Sequence, residues 1–456
     1  MTRAPLPVRE PRYPRGIDTV LGGTRGRRAA PRPPGALARL APVVLLLGLP
    51  LTVAALRQSA CAGPGWQGRA PVWRQCAAPL VAAVPEDGLG RGLPDFLSGE
   101  VALDVPPVAG SVMSALAGLA PGSGAEQQRW FLLLWMLLAS VLLAGLVVVV
   151  GTARRHPLAD PVALALSPVL ALTVALSPDL VPLSLAVVAV WAWSRDRVRL
   201  AGVLAGLALL GGAASAAVLL AMALVPGPGG RRTVRELLVT SGLTVLAVSA
   251  VLAVLDARIL ARPVTAWWHD GAEAGSPWFI PRLADHPVGA AHVAVISALG
   301  AVAAVALGVL LARQRPRPPV ADVALLVLVV LMVTATALPV SAALWLVPFV
   351  ALAGIPWRDH LVWAGAEAVH MVAYFTWVSG LTDPTHGLPA GWYATALAVR
   401  LLAVGRLGWV VWSRAFWPAP SRPTPDPAPS DAAWDAERAE EGSAASWART
   451  GTAGTL

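Results

Sequence analysis

Long apolar segments recur along this chain from Ala41 to Trp412, and short polar stretches separate them. A helix needs about 20 apolar residues to cross the roughly 30 Å of hydrocarbon in a bilayer. The pattern therefore predicts an all-α, polytopic membrane protein. The segments that each predict a single crossing are 40–56, 130–150, 237–257, 288–312, 321–337, 341–355, 361–379 and 390–412.

A further apolar segment, Pro161–Trp193, is too long for one helix. Pro178, Asp179 and Pro182 interrupt it, because proline lacks the amide donor and clashes with the preceding turn. We expect two short helices here, with the turn between them on the outside.

The segment 200–225 begins and ends next to arginine clusters, and Gly211 and Gly212 lie at its midpoint. If both clusters are cytoplasmic, the segment enters the membrane and returns, with the bend at the glycines. A single crossing would instead place the later cluster at Arg313, Arg315 and Arg317 outside, against the usual charge bias. The hairpin gives 10–12 crossings in total.

Composition and charge support this topology. Hydrophobic residues make up 56% of the chain and charged residues only 13%, whereas soluble proteins have roughly 25% charged residues. The net charge of +9 comes from arginine alone, since the sequence contains no lysine. Because the arginines flank the apolar segments, they indicate cytoplasmic ends rather than nucleic-acid binding.

The expected protein is thus a multi-pass protein of the cell (plasma) membrane with both termini in the cytoplasm and no nucleic-acid partner. We expect these parts: a disordered basic tail (1–38), a transmembrane domain (39–414) with extracytoplasmic loops at 57–129 and 258–287, and a disordered tail (415–456).

The first of these loops contains both cysteines of the chain, Cys61 and Cys76. In an oxidising compartment they can form a disulfide. Two free thiols are the alternative, because spacing alone does not fix the geometry.

The second loop contains the stretch "WWHDGAEAGSPWFIPRLADHP". Trp267, Trp268, His269 and Asp270 could bind a sugar, since indole rings stack on apolar C–H surfaces. Aromatic residues at the membrane interface more often serve as anchors, and the sequence leaves both interpretations open.

Two ionisable residues in the segment 361–379, Glu367 and His370, are three positions apart and share a helix face. Ionisable groups at bilayer depth usually indicate a functional site; a structural pair bonded to each other is the alternative. No further ligands have suitable spacing, so we predict no metal site.

Several motifs resemble the polyprenyl-phosphate-sugar-dependent glycosyltransferases of GT-C fold, in particular glycosyltransferase family 87, the actinobacterial mannosyltransferase-like group. In the first loop the order "VWRQCAAPLV", "DGLGRGLPDFL", "LDVPPVAGSVM" follows that family. The most specific similarity lies in "SPVLALTVALSPDLVPLSLAVVAVWAWSRDRVRLAGVLAGLA". The stretches "AALWLVPFVALA", "WRDHLVWAGAEAVHMVAYF" and "LPAGWYATALAVRLLAV" are similar to the family's last helices.

The resemblance implies a GT-C membrane domain that transfers a hexose, mannose in that family, from a polyprenyl-phosphate donor to a lipid or cell-envelope glycan acceptor. It makes Asp104 the general base, just before an interfacial helix that begins near Pro106 and has about 12–14 residues, or roughly 20 Å. Asp179 is the second catalytic candidate, and Arg74 would assist at the phosphate. Membrane lipids are the other expected partners, and no cofactor is implied.

The sequence departs from the family at several positions. Pro79 replaces the acid three residues after the second loop cysteine, and "LLGGAAS" has no cation where the family often has a lysine. A catalytically inactive paralogue that binds lipids or acts as a partner or scaffold is therefore the alternative. A transporter is a third hypothesis, because broken helices also occur there.

Overall fold

The structure is a computed structural model that describes residues 36–101, 104–153, 159–227, 229–269, 271–383, 385 and 387–417. The regular secondary-structure elements of these residues are all helices, and no strand is present among them. The chain divides into two units, Met1–Trp412 and Ser413–Leu456. In the second unit, the description covers only 413–417, where the last helix ends.

The α-helices of the first half of the chain include those of the first loop. They are α1 (Ala36–Leu46), α2 (Gly48–Ala62), α3 (Ala70–Trp73), α4 (Pro79–Glu86), α5 (Leu93–Leu97), α6 (Pro107–Leu119), α7 (Ala125–Ala153), α8 (Ala159–Ala165), α9 (Pro168–Thr173) and α10 (Leu180–Ser194), with a 3-10 turn at Leu89–Arg91.

The second half continues with α11 (Val198–Leu209), α12 (Ser215–Leu224), α13 (Arg231–Asp256), α14 (Arg258–His269), α15 (Phe279–Leu283), α16 (Ala290–Ala312), α17 (Val320–Thr334), α18 (Val347–Leu352), α19 (Trp357–Gly380) and α20 (Ala390–Phe416). A 3-10 helix, η1, covers Val340–Trp345.

Within the described chain, six helices are long and apolar enough to cross a membrane: Ala38–Ala62, Ala125–Ala153, Arg231–Asp256, Ala290–Ala312, Trp357–Gly380 and Ala390–Phe416. Their outer faces are apolar. On α7, for example, Leu133, Leu137 and Val141 lie four residues apart and are each about 60% exposed (59%, 64% and 63%). Apolar stripes of this size would be unfavourable in water, so they face lipid in a multi-pass membrane protein.

The predicted crossings at 321–337 and 341–355 take a different form. The first is α17, a 15-residue helix whose side chains are mostly buried, and the second is the 3-10 helix η1 followed by α18. Both are covered by other helices instead of lipid, which explains why they can be short.

The breaks predicted at the prolines and glycines are present. Residues between Thr173 and Leu180 separate α9 from α10, and Gly211 and Gly212 lie between α11 and α12. A methyl group at Gly211 would contact Pro182 at 2.7 Å. The end of α11 therefore lies beside the start of α10, so these two helices are antiparallel.

Helices α11 and α13 run parallel to each other. Gly202 packs against Thr240, and Gly206, one turn later, packs against Ser241 and Thr244. One turn forward along α11 thus corresponds to one turn forward along α13. The intervening α12 must therefore run in the opposite direction to both. This geometry agrees with the hairpin that the arginine clusters predict.

A disulfide joins Cys61 and Cys76, which are 15 positions apart in the first loop. Trp66 donates its indole N–H to Gln58 at 2.7 Å, and its backbone N–H to Gln128 on α7 at 3.2 Å. These bonds attach the loop to the long helices on either side of it.

Helix α6 begins at Pro107 and has 13 residues, close to the predicted start and length. It packs on the preceding loop through two glycines: Gly110 lies against Phe96, and Gly118 against Gly92. The helix is too short to cross about 30 Å of hydrocarbon. Its orientation relative to the membrane surface stays a prediction.

Arg262 on α14 joins the two predicted extracytoplasmic loops. Its guanidinium donates to the carbonyls of Val101 and Gly99, the latter at 2.9 Å. These contacts place the loop 57–129 and the segment after α13 on one side of the protein.

Candidate functional site

A cavity of about 310 Å³ lies between the first loop, η1 and the C-terminal half of α19. The first loop provides one wall with Val72, Ala77 and Pro79. The polar side chains in the lining are Glu273, Ser341, His370 and Tyr374. Among the described lining residues there is no arginine, and the chain has no lysine.

The loop that provides Glu273 is fixed by hydrogen bonds on both sides. The N–H of Glu273 donates to the Thr336 carbonyl at 3.0 Å, and the Ser276 hydroxyl donates to the Ala335 carbonyl at 2.8 Å. The N–H of Gly275 donates to the Tyr393 hydroxyl at 3.1 Å. The Glu273 backbone is therefore held in place by the segment before η1.

Gly275 has a backbone φ of +86°, and a methyl group there would collide with the Leu338 carbonyl. Only glycine fits both the backbone conformation and the space. This close approach brings the Glu273 loop against the segment that forms the opposite side of the cavity.

Behind this wall lies Arg400 of α20, which is 1% exposed and pairs with the fully buried Glu367 of α19 at 2.8 Å. The Arg400 guanidinium also donates to the carbonyls of Leu338 and Pro339, at 2.6 and 2.9 Å. Glu367 accepts a second bond from the Trp363 indole at 3.1 Å. The carboxylate and guanidinium thus neutralise each other and bind the chain just before η1.

His370 lies in the cavity wall without a hydrogen bond. Its side chain is 1% exposed, and neither ring nitrogen has a partner. It packs among aromatic rings, 6.3 Å from Tyr374 and 5.8 Å from Tyr393 between ring centroids. Glu367 and His370 share a helix, but they do not form the bonded pair that their spacing suggested.

Asp104 is exposed, just before α6, and is not among the lining residues of this cavity. Its charge acts on Asp87 of the same loop: burial and, second, the negative charge of Asp104 raise the pKa of the Asp87 carboxyl. The two acids are therefore neighbours at the surface of the first loop.

Asp179 directly precedes α10. The Asp179 N–H donates to the Ser177 hydroxyl at 3.2 Å. The Val108 N–H, just after Asp104, donates to the Leu210 carbonyl at 3.0 Å, and Gly211 lies against Pro182, just after Asp179, so both predicted catalytic acids precede segments that meet at the end of α11. Both assignments stay predictions.

Arg74, predicted to assist at a phosphate, is exposed. Its guanidinium lies over the Trp73 ring, 5.1 Å from the centroid, and donates to the Ala60 carbonyl at 3.3 Å. It does not line the cavity. The side chains of Trp267, Trp268 and His269, and the whole of Asp270, lie outside the described residues.

The described residues contain no group of three or more His, Cys, Asp and Glu side chains that could hold a metal ion.

Sequence reasoning missed several residues of this region, among them Glu273, Tyr374 and Arg400. A signal existed for Arg400, because it is an arginine inside an apolar segment and another such segment contains Glu367. Glu273 had no comparable signal, since it is one of several acids in the outer loops.

Arg57 on α2 was also missed. Its Nη1 contacts the Met371 sulfur at 3.0 Å, and its Nε and Nη2 are buried without a hydrogen-bond partner. Met371 directly follows His370 on α19. An arginine in a spanning helix with two guanidinium nitrogens that lack an acceptor is unusual.

No protein-family model matches this sequence, and no curated protein matches it either.

Proposed function

We propose that this protein is a membrane glycosyltransferase that transfers a hexose from a polyprenyl-phosphate donor to a lipid or glycan acceptor. The observation that carries the proposal is that Pro79 and Glu273 line the same cavity. Pro79 stands where the family that the sequence resembles has an acid. Glu273, from a distant part of the chain, supplies a carboxylate to the same space.

In this mechanism Glu273 is the general base in place of Asp104. The acceptor oxygen forms a bond to the anomeric carbon as the bond from that carbon to the phosphate oxygen breaks. The acceptor proton moves to the Glu273 carboxylate, and the polyprenyl phosphate leaves with the electron pair of the broken bond. A base held by its backbone is already oriented for this step.

Arg57 supports an anionic lipid as donor. Two of its guanidinium nitrogens have no acceptor, and a phosphate group is a strong, charge-assisted acceptor for a guanidinium. We propose that the donor phosphate binds here after a local rearrangement that uncovers these nitrogens.

The test uses the full chain in lipid vesicles, radiolabelled polyprenyl-phosphate mannose as donor and a membrane lipid extract as acceptor. The wild-type protein should transfer label. Glu273→Gln should reduce the rate by about 100- to 10,000-fold, which is the usual contribution of a positioned base. Asp104→Asn is the matched control and should retain the activity. The reverse result would assign the base to Asp104.

An inactive paralogue that binds lipids is the second candidate. The observation in its favour is that Arg400, which lies just behind the cavity, is already paired with Glu367 and two carbonyls. If the wild-type protein transfers no label and Pro79→Asp creates transfer, the inactive-paralogue hypothesis is correct.

A further inference from the structure

We infer that a second cavity, at the end of α7 opposite the first loop, binds an anionic phospholipid of the membrane. One acyl chain lies in the cavity, and the lipid phosphate lies at Arg195 and Arg197. This inference goes beyond the proposed function and does not depend on it, because the two cavities lie in different parts of the protein.

The position of the second cavity follows from its contact with α7. The Arg195 guanidinium donates to the carbonyl of Thr152, one residue before α7 ends, at 3.1 Å. Helix α7 has 29 residues, so this end is roughly 40 Å from the first loop at 1.5 Å per residue. That distance exceeds the hydrocarbon thickness of about 30 Å. The second cavity therefore lies at the opposite membrane surface, which the arginine clusters predict to be the cytoplasmic one.

The walls of this cavity suit hydrocarbon. It has a volume of about 340 Å³ and lies between α7, α10, α17 and the connection from α12 to α13. Valines from three helices contribute to the lining: Val149, Val187, Val190 and Val320. The indole rings of Trp191 and Trp193 lie in the same wall, and tryptophan is typical of the depth where lipid headgroups meet acyl chains. The space is thus apolar and lies at headgroup depth.

Two uncompensated cations lie beside this apolar space. The guanidinium carbons of Arg195 and Arg197 are 5.6 and 5.8 Å from the centroid of the Trp191 ring, which lines the cavity. Both side chains are exposed, and neither forms an ion pair with an acid of the described chain. The nearby Arg199, in contrast, pairs with Glu236 at 2.8 Å. Two like charges at one ring repel each other, and a phosphate between them would remove the repulsion.

Further arginines adjoin the lining in the sequence. Arg317 is two residues before Pro319, and Arg231 is four residues after Gly227; both arginines are exposed. The lining itself contains one acid, Asp196. Positive charge thus outweighs negative charge around the cavity, which favours an anionic ligand over a cationic or zwitterionic one.

The combination of walls and charges favours a lipid over a free phosphate compound. A water-soluble phosphate would leave the apolar wall unused, whereas an acyl chain fills it while the phosphate stays at the arginines. A zwitterionic phospholipid brings a cation of its own, which the arginines repel. Basic pockets between transmembrane helices are known to bind anionic lipid headgroups on the cytoplasmic side.

The experiment uses the full chain in nanodiscs of phosphatidylcholine with an increasing mole fraction of phosphatidylglycerol that carries a photoreactive diazirine in one acyl chain. After illumination, mass spectrometry measures labelling of the peptides that contain Val149, Val190 and Val320. In the wild-type protein this labelling should rise to saturation. Phosphatidylcholine with the same diazirine should label these peptides weakly and without saturation.

Charge variants test the headgroup site. Arg195→Gln and Arg197→Gln should each raise the half-saturating mole fraction about fivefold, and the double variant about 25-fold, which is the usual contribution of an arginine near an anionic lipid. Asp196→Asn should lower it, because this substitution removes the acid of the lining. Arg199→Gln is the matched control: it removes an arginine of the same stretch that is already paired, so the half-saturating fraction should stay the same.

A variant of the wall tests the place of the acyl chain. Val149→Trp enlarges a lining side chain and leaves both arginines intact, so it should abolish saturable labelling of the Val190 and Val320 peptides. Thermal unfolding in the same nanodiscs checks that the variant is folded. Arg195→Lys combined with Arg197→Lys keeps both charges and should retain saturable labelling.

Equal labelling by both lipids, or an unchanged half-saturating fraction in the double glutamine variant, would overturn the inference. Loss of labelling on addition of glycerol 3-phosphate or inorganic phosphate would assign the arginines to a water-soluble phosphate and contradict a lipid site. Wild-type labelling in the folded Val149→Trp variant would contradict the position of the acyl chain. Because labelling does not require sugar transfer, a failure of the proposed function leaves these outcomes unchanged.

Discussion

Glu367 on α19 and Arg400 on α20 form a buried ion pair, with 2.8 Å between Oε2 and Nε. The pair joins two long helices and, through the Leu338 and Pro339 carbonyls, fixes the segment before η1. It therefore supports one wall of the cavity from behind. Two buried charges of this kind are stable only together.

Arg400→Met should destabilise the protein by about 3–5 kcal/mol, because it leaves the Glu367 charge and two carbonyls without their partner. Thermal unfolding in detergent measures the loss. Arg199→Met is the control: the exposed Arg199 pairs with the partly exposed Glu236 at 2.8 Å on the protein surface. Its loss should be about 1 kcal/mol or less. Equal losses in both variants would contradict a special role for the buried pair.

Gly206→Ala should also destabilise the protein. A methyl group at Gly206 would lie 2.8 Å from the Ser241 carbonyl oxygen, which is backbone of α13 and cannot move alone. We expect a loss of about 1–3 kcal/mol, as for other overpacked contacts. Gly242→Ala on α13 is the control, since no atom lies within 4 Å of its added methyl group. That variant should be neutral or slightly more stable, because alanine favours helix.

Asp87→Asn should raise stability at neutral pH. Burial and the charge of Asp104 raise the pKa of Asp87 in the folded protein, so its ionised form opposes folding. The advantage of the variant should shrink as the pH falls through this raised pKa, and vanish below the usual aspartate value of about 3.9, where both states are protonated.

Asp104→Asn should also raise the free energy of unfolding, by less than Asp87→Asn does. The variant with both substitutions should gain less stability than the sum of the two single gains, because either substitution alone removes the repulsion between the carboxylates. Unfolding curves from pH 7 downwards measure these differences. Glu86→Gln, at an exposed neighbouring acid, should change little. Additive gains from Asp87→Asn and Asp104→Asn would show that the two carboxylates do not interact.

The orientation in the membrane is tested with single cysteines. Both native cysteines are in the disulfide, so the protein has no free thiol. Glu86→Cys and Ala284→Cys, at exposed sites in the two loops, should react with an impermeant maleimide from outside. Arg315→Cys should react only after permeabilisation. The opposite result would invert the predicted topology, and different sides for Glu86 and Ala284 would contradict the Arg262 contacts.

The positions of the long helices could be predicted from the sequence. Apolar length is a local property, and lipid selects it directly, so the segments 130–150 and 288–312 correspond closely to α7 and α16. The break at Gly211 and Gly212 was also predictable, because glycine and proline act on their own backbone. The arginine clusters then indicated the return of α12, which the register of α11 on α13 supports.

The cavity depends on contacts between residues far apart in the chain. Pro79 and Glu273 meet in one lining, and Glu367 pairs with Arg400 instead of His370. No local pattern encodes these choices, since they follow from how helices pack and which buried charges find partners. The sequence alone therefore determined where the chain is helical and apolar. Only the tertiary structure decided which carboxylate and which imidazole share a cavity, because burial and pairing are properties of the packed chain.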